Sequence, residues 1–122
     1  KADAPKIVTL PSGLQYVDEV VGTGPVPAIG QKASVHCTGR LTDSTIFWST
    51  TDPKFNFNKP LDFSVGKHQM IKGFDEGVQT MHVGGRRKVI IPPALGYGER
   101  GAPPAVPGNA TLVFTIELLS VN

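Results

Sequence analysis

Residues 111–121, TLVFTIELLSV, keep a period of two for longer than any other stretch of this chain. Leu112, Phe114, Ile116 and Leu118 fall on one side, and Val113, Thr115, Glu117 and Leu119 on the other. Alternation sustained that long reads as a strand with one face on a core. Shorter runs of the same kind lie upstream. Residues 32–41 set Ala33, Val35 and Cys37 against Lys32, Ser34 and His36, Leu61, Phe63 and Val65 alternate with Asp62 and Ser64, and residues 13–21 and 88–91 are strand-like. One segment breaks the period. Phe74, Val78 and Met81 stand four and three apart, the stripe of a helix about two turns long, which Gly84-Gly85 is expected to end.

The connections between these runs are too short for several crossovers, so the expected class is α+β: an antiparallel sheet packed on one short helix. At 122 residues the chain reads as a single domain over residues 13–122, with residues 1–12 a polar tail or edge segment ending at Pro11.

Composition narrows the function classes. Twelve basic and ten acidic residues leave a formal charge of +2, too balanced for a nucleic-acid or anionic-membrane partner. Arg86-Arg87-Lys88 is the single basic cluster and reads as a solvated strand edge. His36, His68 and His82 are too widely spaced for a metal-binding motif, so neither metal nor cofactor is expected. Cys37 is the sole cysteine, which rules out an internal disulfide and reads as a small buried residue rather than a reactive thiol. It tips the expected compartment towards the cytoplasm, while the start KADAPKIV leaves open a trimmed secreted or organellar form. No apolar run reaches the roughly 18 residues of a membrane span, and no leader peptide is visible. Gly84-Gly85-Arg86 lacks the ending of a phosphate loop, Pro104-Ala-Val-Pro107 fits PxxP inside a folded flap, and Asn109-Ala-Thr111 is formally a glycosylation acceptor at a strand start. No acid–base pair or thiol dyad appears. A monomer is expected, as no self-complementary apolar surface is evident.

Three words carry a resemblance. VHCTGRL (35–41), KPLDFSVGKHQMIKGFDEGVQTMHVGGRRKVIIPPALGYG (59–98) and NATLVFTIELL (109–119) stand in the order and spacing of the FK506-binding proteins. These are peptidyl-prolyl cis–trans isomerases that also bind macrolides, and the chain resembles them from about Gly13 to Leu119. The resemblance implies a twisted five-stranded antiparallel sheet wrapped around one short α-helix. It implies an apolar cup with Phe47, Ile71, Phe74, Tyr97 and Phe114 as its catalytic wall and Phe74 at its floor. Cys37, Trp48, Leu61, Met70, Ala102 and Val106 are implied as further substrate contacts. The Ile71 N–H and the Tyr97 hydroxyl would bond the ligand's carbonyls, and the flap 101–109 would close one side. Proline-containing peptides and proteins are the implied partners.

The chain also departs from the family pattern. Cys37 and Trp48 replace a tyrosine and an aspartate that bond one another in the family, Leu61 replaces a common phenylalanine, Phe74 a common tryptophan, and Ala102 a frequent histidine. Loss of the aspartate implies lowered macrolide affinity. It also keeps open a second function, a weakly active or inactive peptide-binding or chaperone module. The loop 51–58 is about four residues longer than in the minimal domain, and its Phe55 and Phe57 either meet a partner at the rim or tuck onto their own domain.

Overall fold

A computed structural model describes residues 7–52, 55, 59–67, 69–102 and 105–122. Phe57, His68 and Pro104, singled out above, lie outside the described residues. The elements in chain order are β1 (Val8–Thr9), β2 (Gln15–Val20), β3 (Lys32–Leu41), β4 (Ile46–Ser49), β5 (Leu61–Ser64), α1 (Lys72–Val78), β6 (Arg86–Ile91), a 3-10 turn (Pro93–Leu95) and β7 (Leu112–Val121).

All ladders are antiparallel, in the order β1-β2-β6-β7-β3-β4, with β5 also paired to β3. The α+β class holds, but among the described residues the sheet has seven strands where five are expected. Two local causes account for the difference. Val8–Thr9 adds a two-residue edge to β2, and the free side of β3 is shared, with β5 on Lys32–Val35 and β4 on Thr38–Arg40.

The long alternating segment becomes the central strand. β7 lies between β3 and β6 and buries Leu112, Phe114, Ile116 and Leu118. β3 answers it with buried Ala33, Val35 and Cys37. Side chains of one parity share one face, so these rows make a single apolar layer. Each large member contributes roughly 1.5–3 kcal/mol by leaving water.

Helix α1 covers that layer, burying Phe74 and Val78. It lies close to β6 because Gly73 has no side chain: a Cβ there would come within 2.5 Å of Ile91. The helix is shorter than its apolar stripe. It ends at Val78, and Met81, though buried, lies beyond it in a turn closed by Met81 N–H to Val78 O at 3.0 Å. Gly84, at φ +91°, instead makes the turn into β6.

Arg87 corrects another expectation. It is not part of a solvated edge but 3% exposed. Its guanidinium donates to both carboxylate oxygens of Asp18, at 2.6 and 3.1 Å, to Gly77 O at 2.8 Å and to Thr80 Oγ1 at 2.6 Å, and it lies 3.8 Å over the Tyr16 ring. The last carbonyls of a helix have no intrahelical donor, and Arg87 supplies one. Its neighbours Arg86 and Lys88 are exposed, as expected. β6 therefore begins two residues before the predicted Lys88, since Arg87 is held across β2.

Candidate functional site

An apolar hollow of about 190 Å³ opens at the end of the sheet where β4, β5 and the start of α1 meet. β4 contributes Phe47 and Trp48, β5 contributes Leu61, and the connection into the helix contributes Met70 and Ile71. Tyr97 and Phe114 complete the wall. Its size compares with the ~150 Å³ apolar cavity that admits a benzene ring, so a five-membered pyrrolidine fits. Hollows of about 320 and 260 Å³ lie elsewhere, but Thr42, Asp43 and Asn109 line the first and Asp18, His82 and Arg87 the second.

A relay of edge-to-face rings supports the apolar wall. Phe47 meets Phe114 at 5.4 Å and 89°, Phe114 meets Phe74 at 5.2 Å and 84°, and Phe74 meets Phe63 at 5.6 Å and 69°. Such pairs contribute about 0.5–1.5 kcal/mol beyond their burial. Gly39, which sequence reasoning missed, makes the relay possible. It sits opposite Phe114 across the β3–β7 ladder, and a Cβ there would come within 2.7 Å of Phe47 and 2.8 Å of Phe114. Its signal was the glycine inside an otherwise regular strand, which marks close approach.

Seven expected site residues therefore meet in one wall, and four do not reach it. Phe74, expected as the floor, is fully buried and lies behind Phe114. Ala102 and Val106 pair with each other by reciprocal backbone bonds of 2.9 and 3.0 Å, and Val106 is 2% exposed, turned into the core.

Cys37 lies behind Trp48. Burial pushes its thiol from the ordinary 9.0 up to about 12, while a hydrogen bond from the Trp48 side chain acts in the opposite direction. The two replacements thus touch one another. Trp48 is braced outside by Phe55, whose ring lies 5.9 Å away at 63°. Thr50, beyond the end of β4, anchors the strand: its Oγ1 accepts the Cys37 N–H at 3.1 Å and its N–H donates to Cys37 O at 3.0 Å.

The raised thiol has a measurable consequence. The folded thiol stays protonated while the unfolded one ionises, so its contribution is complete below about pH 9 and is lost as pH rises towards 12. Cys37→Ala is expected to flatten that part of the stability–pH curve in urea titrations. A slope identical to that of the unaltered chain would contradict the assignment.

Tyr97 follows the 3-10 turn that Pro92-Pro93 opens. Gly98 N–H donates to Pro93 O at 2.9 Å, Gly101 N–H to Tyr97 O at 3.1 Å and Asn109 N–H to Gly98 O at 2.9 Å. Burial raises the Tyr97 phenol above its ordinary value, so the hydroxyl remains a donor at neutral pH. Ile71 is the N-cap of α1, and an N-cap N–H has no intrahelical acceptor. Among the described residues, no three metal-ligating side chains gather and no helix is long and apolar enough to cross a membrane.

The fold and hollow define a class: among the described residues, an antiparallel sheet covered by one short helix, holding an apolar cup with hydrogen-bond donors at its rim and no acid–base pair in its wall. The sequence model described as FKBP-type peptidyl-prolyl cis-trans isomerase matches residues 24–119. "FK506-binding protein 4" of Dictyostelium discoideum is 47% identical over 120 residues, covering 98% of this chain and 31% of that protein. "Peptidyl-prolyl cis-trans isomerase Fkbp12" of Drosophila melanogaster is 46% identical, covering 90% of this chain and 99% of that protein. The crystal structure of AtFKBP13 superposes with a TM-score of 0.86 at 36% identity, covering 96% of this chain and 99% of that one. The chain belongs to the FKBP-type peptidyl-prolyl cis–trans isomerase family. It spans under a third of the length of the Dictyostelium relative.

Proposed function

We propose that this chain catalyses rotation about X–Pro bonds in peptides and folding proteins, with the apolar cup as its active site. The observation that carries the reading is the cup itself, large enough for a pyrrolidine and walled by Phe47, Trp48, Ile71, Tyr97 and Phe114. The prolyl bond resists rotation by about 18–20 kcal/mol because twisting breaks amide resonance. The twisted amide has less charge separation than the planar one. An apolar enclosure therefore favours it relative to water, and stabilising the transition state more than the ground state is what accelerates a reaction. No bond is made or cut, so no nucleophile is required.

The Ile71 N–H and the Tyr97 hydroxyl orient the substrate by donating to its carbonyls. Phe74, Val106, Ala102 and Cys37 act from behind the wall. Tyr97→Phe is expected to lower kcat/KM by roughly two- to tenfold, the value of one ordinary hydrogen bond of about 0.5–1.5 kcal/mol. An unchanged kcat/KM would remove the hydroxyl from the mechanism.

A second reading rests on Trp48, whose indole forms part of the cup wall. A narrowed cup still binds proline-containing segments with little turnover, as an interaction or chaperone module. NMR exchange on an X–Pro peptide separates the two. Exchange accelerated at substoichiometric protein supports the isomerase; binding with no acceleration supports the module.

Macrolides enter the same cup with lowered affinity, because among the described residues no carboxylate lines it. Calorimetric titration with a macrolide, against a relative that carries the tyrosine–aspartate pair, tests this; equal affinities would overturn it.

A further inference from the structure

We propose that Asp75 is a positioning residue for the cup: together with Gln69 it clamps the β5–α1 connection at the setting that presents Met70 and Ile71 to substrate. This deepens the isomerase reading and rests on it. Met70 and Ile71 stand in the wall ahead of the first helical residue, with no strand ladder to hold them. The connection leaves β5 at Ser64 and enters α1 after Ile71.

Two side chains close it. Asp75 Oδ1 accepts the Gly66 N–H at 2.8 Å, and Gln69 Oε1 accepts the Ser64 N–H at 2.7 Å. A third bond, Asp75 N–H to Ile71 O at 3.1 Å, joins the same residue to the cup itself. On the far side, the connection is tied to the preceding loop by Val65 N–H to Gln31 O at 2.9 Å and Gly30 N–H to Val65 O at 2.8 Å. Asp75 is thus the point at which helix, connection and cup wall meet.

The residue type supports the role. Asp75 is 5% exposed, and burying a carboxylate is unfavourable unless it is bonded. An apolar side chain at this position would satisfy the packing of α1 without that penalty. What it would not do is accept the N–H of Gly66, a residue at φ +77° whose turn sets the direction of the connection. The carboxylate lies in the first turn of α1, where the helix dipole favours negative charge.

The test uses the whole chain, an Ala-Leu-Pro-Phe peptide, and separate measurement of kcat, KM and the urea midpoint. Because the Ile71 N–H binds ground and transition states alike, misplacing it raises KM with kcat nearly unchanged. Asp75→Ala is expected to raise KM about fivefold or more, as for one lost hydrogen bond, with kcat within about twofold. Asp75→Asn, whose amide oxygen still accepts from Gly66, is expected to restore KM to within about twofold of the unaltered chain. A KM for D75N equal to that of D75A overturns the acceptor role. A lowered urea midpoint for D75A with unchanged KM overturns the proposal in favour of a purely structural carboxylate.

If D75A fails to fold, Gln69→Ala decides, because it releases the other end of the same connection: a KM raised about threefold supports the clamp, and an unchanged KM overturns it. If the unaltered chain shows no turnover, the isomerase reading fails by itself. Peptide affinity of the same variants, read from the fluorescence of Trp48, then decides the clamp: about fivefold weaker binding by D75A supports it, and unchanged binding overturns it.

Discussion

Phe74→Ala is expected to destabilise the chain by about 3–5 kcal/mol, the range for deleting a fully buried aromatic ring from a core that cannot collapse around the space. Phe74 has no exposed surface and bridges Phe63 and Phe114, at 5.6 and 5.2 Å. Its removal breaks the ring relay in the middle and takes away one of the two rings that brace Phe114 in the cup wall. Urea unfolding should show a lower midpoint at an unchanged slope, and kcat/KM of the remaining folded protein should fall as well. Phe74→Leu keeps much of the volume and should lose well under half as much stability. A loss below about 1 kcal/mol for Phe74→Ala would mean that the relay does not carry the core.

Arg87→Ala is expected to cost about 3 kcal/mol. Breaking a buried ion pair by removing one partner costs roughly 3–5 kcal/mol; the lower end applies because the Asp18 side chain is 31% exposed and partly regains water. The loss also strips a donor from Gly77 O, which Arg87 reaches at 2.8 Å at the end of α1. Arg87→Lys should recover little, since a point charge cannot reproduce two bonds to Asp18 together with those to Gly77 and Thr80. Denaturation of R87A, R87K and D18N, compared pairwise, measures this; full recovery by lysine would show that charge alone matters.

These two residues mark what was legible in the sequence and what was not. The alternation in β3 and β7 was readable because both strands have one face on a single core, and the stripe Phe74–Val78–Met81 marked the covering helix. The extent of that helix was not readable. Met81 keeps the stripe's spacing while lying in a turn, because Arg87 takes the Gly77 carbonyl near the end of the helix. Arg87 itself sits in a run of three cations, and what distinguishes it is its burial among partners elsewhere in the chain, Asp18 at 69 positions away together with Tyr16, Gly77 and Thr80.

At the cup, the words carrying the family resemblance located the wall, since Phe47, Ile71, Tyr97 and Phe114 converge. They did not reveal that Phe74, Cys37, Ala102 and Val106 fall outside its lining. Distance from the cup depends on which side of a ring or a flap faces inward, and a local word contains no such information. Gly39 shows the converse, a residue without a side chain whose importance appears only once two rings are seen above it.

The central claim is that the cup turns a prolyl bond without transferring a proton. Its most direct test is the pH dependence of the NMR-measured cis–trans exchange rate of an X–Pro peptide catalysed by this chain. The Tyr97 phenol is held above its ordinary value, the Cys37 thiol is pushed up to about 12, and among the described residues no carboxylate or imidazole lines the cup. Catalysed exchange should therefore be substantial and level from about pH 6 to 8.5, without the bell shape that a general acid and base impose. A bell-shaped profile with limbs inside that range, or exchange no faster than in the protein's absence, would contradict the claim.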